Sequence, residues 1–308
     1  MVIALLPATI LATAALSRAA DSDATHASMH ASKQHVTYGG RLRLNGEFPG
    51  SSHQPVDIRM RKAGSKRWHT VGHDRTGASG RFHKRVRPHT TGSWRGQLAK
   101  PKQSTEDSGT TDPLSAPATD RQTNAERVRV RSLTKAKLSS RNPTVGRSVR
   151  IRGRVFPGGQ KRRVTIHVGR HTLHTRTGHD GRFHRSWHAG STGSYHVGVA
   201  ARGNRAAAGS RDGLGKLDVF RPAAASWYGP GFYGHRTACG QTLTSSTVGV
   251  ANRTMPCGSK LTLRYRGHEV RVRVIDRGPY SGSREFDLTE ATKNRLHFGS
   301  TGTVLSSR

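Results

Sequence analysis

The segment Val270-Arg271-Val272-Arg273-Val274-Ile275-Asp276-Arg277-Gly278-Pro279 joins a strand pattern to an acid at a turn. Its valines alternate with arginines, which is typical of a β-strand with one buried face. Residues 261–265 alternate in the same way, and the glycine-containing segment 266–269 between the two suits a tight turn. The sequence therefore predicts a β-hairpin followed directly by Asp276.

Four further short motifs lie around this hairpin. In chain order they are Ala225-Ser226-Trp227-Tyr228-Gly229-Pro230-Gly231, Arg236-Thr237-Ala238-Cys239-Gly240, Gly249-Val250-Ala251-Asn252-Arg253-Thr254-Met255-Pro256-Cys257-Gly258 and Arg284-Glu285-Phe286-Asp287-Leu288-Thr289. With the hairpin motif, their order resembles that of the rare-lipoprotein-A family, a double-psi β-barrel related to the first domain of expansins. The resemblance covers residues 223–306 and implies a six-stranded double-psi β-barrel.

Asp276 is the residue on which a catalytic function would depend. Family members with demonstrated chemistry are lytic transglycosylases acting on glycan strands stripped of peptide, whereas expansins loosen walls without hydrolysis. In lytic cleavage, one carboxyl group can protonate the glycosidic oxygen and then accept the proton of the sugar 6-hydroxyl. The resemblance implies that Asp276 is this group. An Asp before Gly-Pro can instead cap a turn or pair with a neighbouring arginine.

Two positions depart from the lytic members of the family. Gln241 stands where those enzymes carry Glu, and Asn252 stands where they carry His. Neither amide titrates near neutral pH, so these residues favour a sugar-binding groove without turnover. The two interpretations are therefore a peptidoglycan lytic transglycosylase and a non-catalytic, expansin-like wall-binding or wall-loosening protein.

Other side chains of this segment could bind substrate or stabilise the fold. Besides Gln241 and Asn252, the candidates for substrate binding are Tyr228, Tyr280, Arg253 and Arg277. Aromatic rings can stack on sugars but often belong to the core of a small barrel, and arginines suit acidic ligands but also keep a surface soluble. Asp287 is expected to be a structural acid near the start of a short helix, residues 290–296, which Thr289 can cap.

Cys239 and Cys257 are the only two cysteines of the chain and lie 18 positions apart (257 − 239). In an exported protein we expect them to form a disulfide, which for a loop of this length stabilises a fold by roughly 3 kcal/mol. No histidine lies at a zinc-ligand spacing around them. The sequence therefore indicates neither a metal site nor a cofactor.

Two related segments precede the proposed barrel. Residues 37–46 align with residues 144–153 at an offset of 107 (144 − 37), and residues 80–83 align with residues 181–184 at an offset of 101 (181 − 80). Alternating apolar residues in each copy predict half-buried strands, which suggests small immunoglobulin-like β-sandwiches of the kind that serve as spacers or adhesive units.

The predicted domain organisation follows from these repeats and from composition. We expect β-sandwich repeats at 24–99 and 128–201, a disordered linker at 100–127, a second linker at 202–222 that could include a last strand at 217–220, and the barrel at 223–306. A hydrophobic fraction of 32% is too low for one large core, which favours several small, mainly β domains.

The N-terminal residues predict export. Residues 1–19 are apolar and end in Ser17-Arg18-Ala19, which fits a signal peptide and predicts a secreted, extracellular or wall-associated protein with no stable membrane span after cleavage. Because no Lys or Arg precedes the apolar stretch, the alternatives are a true start further upstream and an uncleaved anchor.

The charge of the chain points to an anionic partner. A formal net charge of +34 can concentrate polyanions, either peptidoglycan or another anionic wall polysaccharide or a nucleic acid. An arginine-biased composition that merely fills exposed positions is the third interpretation. Because no helix-turn-helix, zinc-finger or RNA-binding signature is present, specific nucleic-acid recognition is not expected.

Overall fold

The computed structural model describes residues 26–100 and 121–308. Within these ranges the chain is mainly β, with one short helix, and forms two β-sandwiches followed by a closed β-barrel. The predicted fold class is therefore confirmed. None of the described helices is long and apolar enough to cross a membrane. The predicted signal peptide and most of the predicted linker at 100–127 lie outside the described residues.

The first sandwich contains eight described strands. They are β1 (Ser28–Ala31), β2 (His35–Thr37), β3 (Leu42–Glu47), β4 (Pro55–Lys62), β5 (His69–Arg75), β6 (Arg81–Val86), β7 (Gly92–Leu98) and β8 (Glu126–Arg131). One sheet has the order β1–β3–β6, and the other has the order β2–β8–β7–β4–β5. Val56, Ile58 and Met60 of β4 are buried in the core, as their alternation predicts.

The second sandwich repeats this arrangement with seven strands. They are β9 (Leu133–Leu138), β10 (Ser148–Phe156), β11 (Arg163–Val168), β12 (His171–Arg176), β13 (Arg182–His188), β14 (Gly193–Ala201) and β15 (Ser210–Val219). The sheets have the orders β13–β10–β9 and β12–β11–β14–β15. Val164, Ile166 and Val168 of β11 are fully buried between them.

The last strand of each sandwich lies where the sequence predicts a linker or a different repeat. β8 pairs with β7 and β2, so it completes the first sandwich. β15 pairs with β14 over nearly its whole length, within the predicted linker at 202–222. β15 includes residues 217–219 of the strand suggested at 217–220 but begins at Ser210, and one extra residue, Leu214, lies opposite Val197 and Gly198 as a bulge.

The barrel contains six strands and the helix. They are β16 (Arg221–Tyr228), β17 (Val250–Ala251), β18 (Lys260–Tyr265), β19 (His268–Asp276), β20 (Phe286–Thr289), α1 (Glu290–Leu296) and β21 (Gly302–Ser306). The strands close in the order β16–β20–β17–β19–β18–β21. The predicted β18–β19 hairpin is confirmed, and the Thr289 side chain accepts the Thr292 N–H to cap α1 as predicted.

A single residue, Phe220, separates the second sandwich from the barrel. Phe220 is fully buried, its N–H donates to the carbonyl oxygen of Pro143 (2.9 Å), and its own carbonyl accepts from the Val145 N–H (2.8 Å). The junction is therefore part of the second sandwich rather than a solvated linker.

Candidate functional site

A β-bulge in β19 decides which way Asp276 faces. Val274 lies opposite Val250, whereas Asp276 lies opposite Ala251, so β19 accommodates one extra residue, Ile275. Val274 and Val250 are fully buried in the barrel core, and strict alternation would turn Asp276 into that core as well. The extra residue reverses the alternation and places Asp276 on the face away from the core.

Asp287 lies on the same face, two strands from Asp276. Ala251 pairs with Asp276 on one side and with Asp287 on the other. At the usual spacing between strands, the Cα atoms of the two acids are about 10 Å apart. Ser226, the next residue across from Asp287, donates its hydroxyl hydrogen to Asp287 Oδ1. The two carboxyl groups thus stand on either side of one small residue.

One oxygen of Asp276 is held by the backbone. Asp276 Oδ1 accepts hydrogen bonds from the N–H groups of Ala238 (2.9 Å) and Arg277 (2.8 Å). These bonds fix the carboxyl group at the end of β19 and tie it to the loop at residues 236–242. Because both bonds use Oδ1, Oδ2 is the oxygen that could meet a ligand.

The hydroxyl group of Tyr228 lies beside these acids. Burial is the main cause that raises the pKa of Tyr228, and the charges of Asp276 and, more weakly, Asp287 add to it. Tyr228 Oη is buried and makes no hydrogen bond of ordinary geometry to the described residues. The phenol therefore stays protonated at neutral pH beside the carboxyl group of Asp276.

The predicted disulfide is present and links the two loops next to Asp276. Cys239 and Cys257 are bonded, with their Cα atoms 5.6 Å apart. The first cysteine belongs to the loop that supplies the Ala238 N–H, and the second belongs to the loop after β17. The bond therefore holds two borders of the site together.

Residues 222–305 match the double-psi β-barrel family model described as "Lytic transglycolase". The "Probable endolytic peptidoglycan transglycosylase RlpA" of Synechocystis is 38% identical over 93 residues, which are 30% of this chain and 29% of that protein. The "Endolytic peptidoglycan transglycosylase RlpA" of Campylobacter jejuni is 37% identical over 82 residues, 26% of this chain and 30% of that protein.

The C-terminal domain is an RlpA-like double-psi β-barrel. The matched segment spans less than a third of either relative. Among solved structures, the Streptomyces papain inhibitor aligns with 27% of this chain and 87% of its own, at 21% identity and a TM-score of 0.22. The likeness to the named relatives thus concerns the barrel, and the two sandwiches precede it.

In this RlpA-like barrel, Asn252 braces a loop instead of facing a ligand. Its side chain is 3% exposed; Nδ2 donates to the Glu285 carbonyl (3.0 Å), and Oδ1 accepts from the N–H groups of Thr254 (3.1 Å) and Met255 (2.7 Å). These internal hydrogen bonds occupy both ends of the amide. The structure therefore differs here from the expected substrate contact.

The two candidate arginines also bond to nearby backbone. Arg277 Nη1 donates to the carbonyl oxygens of Asn252 (3.2 Å) and Met255 (2.9 Å), and Arg253 Nη2 donates to that of Arg284 (3.2 Å). Arg277 and Asn252 thus both bond to the backbone of the loop at residues 252–255. This use of Arg277 differs from the expected contact with an acidic ligand.

The remaining candidates lie at the surface of the RlpA-like barrel. Gln241 is exposed. Its backbone carbonyl oxygen accepts the Thr237 N–H (2.8 Å), which closes the loop beside Asp276. Tyr280 is 78% exposed and follows the turn after Asp276. Both side chains are therefore free to approach a ligand, but neither bonds to Asp276.

Two residues near the site were missed from the sequence. Phe232 is 57% exposed, and its ring meets that of Tyr228 edge to face, with centroids 6.1 Å apart. Thr237 is 7% exposed, and its Oγ1 makes no hydrogen bond to the described residues. Phe232 could have been found from the sequence, because it is an aromatic residue in the glycine-rich loop after Tyr228. No sequence pattern points to Thr237.

The variant Gly249→Ala is expected to disturb the bulge that orients Asp276. A Cβ at position 249 would lie 2.5 Å from Cδ1, 2.7 Å from Cγ1 and 2.9 Å from Cγ2 of Ile275, the extra residue in β19. Such overpacking costs about 1–3 kcal/mol of folding free energy, because the buried Ile275 must shift to relieve it. Segment-resolved hydrogen exchange should show faster exchange in β17 and β19.

Gly299→Ala is the matched control, because a Cβ there meets open space and the φ of Gly299 lies outside the left-handed region. Unchanged exchange at β17 in Gly249→Ala would contradict the expectation.

Proposed function

We propose that this is an exported cell-wall protein whose barrel binds the glycan strands of peptidoglycan and cleaves them as a lytic transglycosylase. The observation that supports it best is the placement of Asp276 by the bulge: an acid beside a buried phenol, on the face away from the core. The relatives' names give the substrate class, and export follows from the predicted signal peptide.

The proposed reaction needs a single carboxyl group. Asp276, in its acid form, gives its proton to the glycosidic oxygen as the bond from that oxygen to the anomeric carbon breaks. The resulting carboxylate accepts the proton of the sugar 6-hydroxyl as that oxygen bonds to the anomeric carbon, which closes a 1,6-anhydro ring. No water is consumed, so the second carboxylate required for hydrolysis has no part in the step.

The second candidate function is binding or loosening of the wall without turnover. It is favoured by Gln241, an exposed amide that cannot transfer a proton, and by Asn252, whose amide is bonded within the protein. The exposed rings of Phe232 and Tyr280 could hold a glycan whether or not it is cut.

The two candidates differ in their products. Purified peptide-free glycan strands are incubated with the full chain and analysed by mass spectrometry. New 1,6-anhydro ends support cleavage, whereas co-sedimentation with intact strands and no such ends supports the binding function. Ends that carry added water would show hydrolysis and would contradict the proposed step.

A further inference from the structure

The outer face of the sheet β13–β10–β9 carries two rows of basic residues, which we name the basic grid. The first row is Lys135, Arg154 and Arg182, and the second is Lys137, Arg152 and His184. Members of each row are direct neighbours across the three strands, and all six side chains are exposed. They line a shallow groove with a volume of about 730 Å³.

The basic grid is electrostatically unfavourable for the isolated protein. Neighbours within a row are about 4.8 Å apart across the strands, and the rows are about 7 Å apart along them. Like charges placed directly opposite one another destabilise a sheet. Among the described residues, the only ion pair that reaches the grid joins Arg182 Nε to Asp180 Oδ2 at 3.4 Å. The five lysine and arginine side chains of the grid therefore have one acidic partner between them, Asp180.

The first sandwich provides an internal comparison. Its equivalent rows, on β1, β3 and β6, are Ser28, Glu47 and Arg81, and His30, Asn45 and His83. Glu47 forms an ion pair with Arg81 (3.1 Å), so the permanent charges of these two rows cancel, while the next row of the same face carries Arg43 opposite Arg85. A composition that merely fills exposed positions with arginine would have charged these two rows in both sandwiches. The concentration of five permanent positive charges in these two rows is therefore a property of the second sandwich.

We propose that the basic grid binds a linear wall polymer with repeated phosphodiester groups. Guanidinium groups match phosphate oxygens in geometry and charge, and two rows repeated along the strand direction can meet anionic groups repeated along a chain. The choice of a wall polymer over a nucleic acid, which has the same phosphate chemistry, rests on the proposed function of the barrel. Binding by the grid itself rests only on the second sandwich.

The test replaces three residues of the grid with the residues at the equivalent positions of the first sandwich. The full chain and its variant Lys135→Ser/Arg152→Asn/Arg154→Glu are titrated with a poly(glycerol phosphate) of defined length at constant ionic strength. Each cation near an anionic surface contributes about fivefold to affinity, so the loss of three cations should weaken binding about a hundredfold. The same scaffold already carries Ser, Asn and Glu at these positions in the first sandwich, so the variant should fold.

The matched control is Lys66→Ser/Arg67→Glu/Arg170→Asn, which changes the net charge by the same amount at exposed positions away from the grid. It should bind the polymer as the unmodified chain does. If the control loses as much affinity for the polymer as the grid variant does, net charge alone explains the effect, and the proposal is overturned. Tighter binding of double-stranded DNA at equal phosphate concentration, lost in the grid variant alone, would overturn it in favour of nucleic acid.

The experiment separates this proposal from the proposed function of the barrel. Asp276→Asn should bind poly(glycerol phosphate) as the unmodified chain does, and the grid variant should act on peptide-free glycan strands unchanged. Loss of polymer binding by Asp276→Asn would place the polymer site on the barrel and overturn the grid. Absence of glycan cleavage by every variant would count against the barrel proposal alone.

Discussion

The variant Asp276→Asn should release no detectable 1,6-anhydro products from peptide-free glycan strands. General acid–base catalysis by one group contributes about 100- to 10,000-fold to a rate, and an amide can neither give nor accept the proton. Asn keeps an Oδ1 acceptor for the N–H groups of Ala238 and Arg277, so the loop beside the site should stay in place. The measurement is the rate of product formation by mass spectrometry.

The control for this variant is Glu269→Gln, at the other end of the same strand. Glu269 is exposed and pairs across the hairpin with Arg264, so the same change from carboxyl to amide occurs away from the site. It should leave the rate unchanged. If Asp276→Asn cleaves glycan strands at the rate of the unmodified chain, Asp276 is not the acid and base of the reaction.

The variant Cys239→Ser/Cys257→Ser should destabilise the barrel by roughly 3 kcal/mol, because the disulfide restricts an 18-residue separation in the unfolded chain. The two loops that it joins carry the Ala238 N–H and the Asn252 amide, so their order should suffer as well. Segment-resolved hydrogen exchange under native conditions measures the effect, since it distinguishes the barrel from the sandwiches. Exchange in the barrel strands should accelerate by about a hundredfold.

A reducing agent provides the control for the disulfide. It should accelerate exchange in the barrel of the unmodified chain and leave the double variant unaffected. Strands of the two sandwiches, which contain no cysteine, should exchange at the same rate throughout. Equal exchange in the barrel with and without the bond would contradict the stabilising role.

The sequence predicted those features that depend on local patterns. The β18–β19 hairpin follows from alternation over few residues, and the Thr289 cap follows from a hydroxyl before a short helix. The pairing of the cysteines follows from their number. In each case the physical cause lies within a short stretch of chain, where periodicity and side-chain chemistry can be read directly.

Features that depend on distant partners were not predicted. The bulge at Ile275 changes the direction of Asp276, yet it arises from pairing with a two-residue strand far along the chain. The role of Asn252 depends on a carbonyl group 33 residues away. Only the end of β15 was read as a strand, because the segment is rich in Gly and Ala, and the pairing that identifies the rest involves β14.

The buried Phe220 junction limits how far the barrel could reach from an anchored second sandwich. Only one residue separates the two domains, and it is hydrogen-bonded to the second sandwich. The described residues therefore contain no flexible linker that would let the barrel move far from that sandwich. A molecule held by its sandwich would therefore act only on strands within a single domain length of its attachment point. Remodelling would then be patterned by the distribution of anchoring polymer, so that cuts cluster where the polymer is dense.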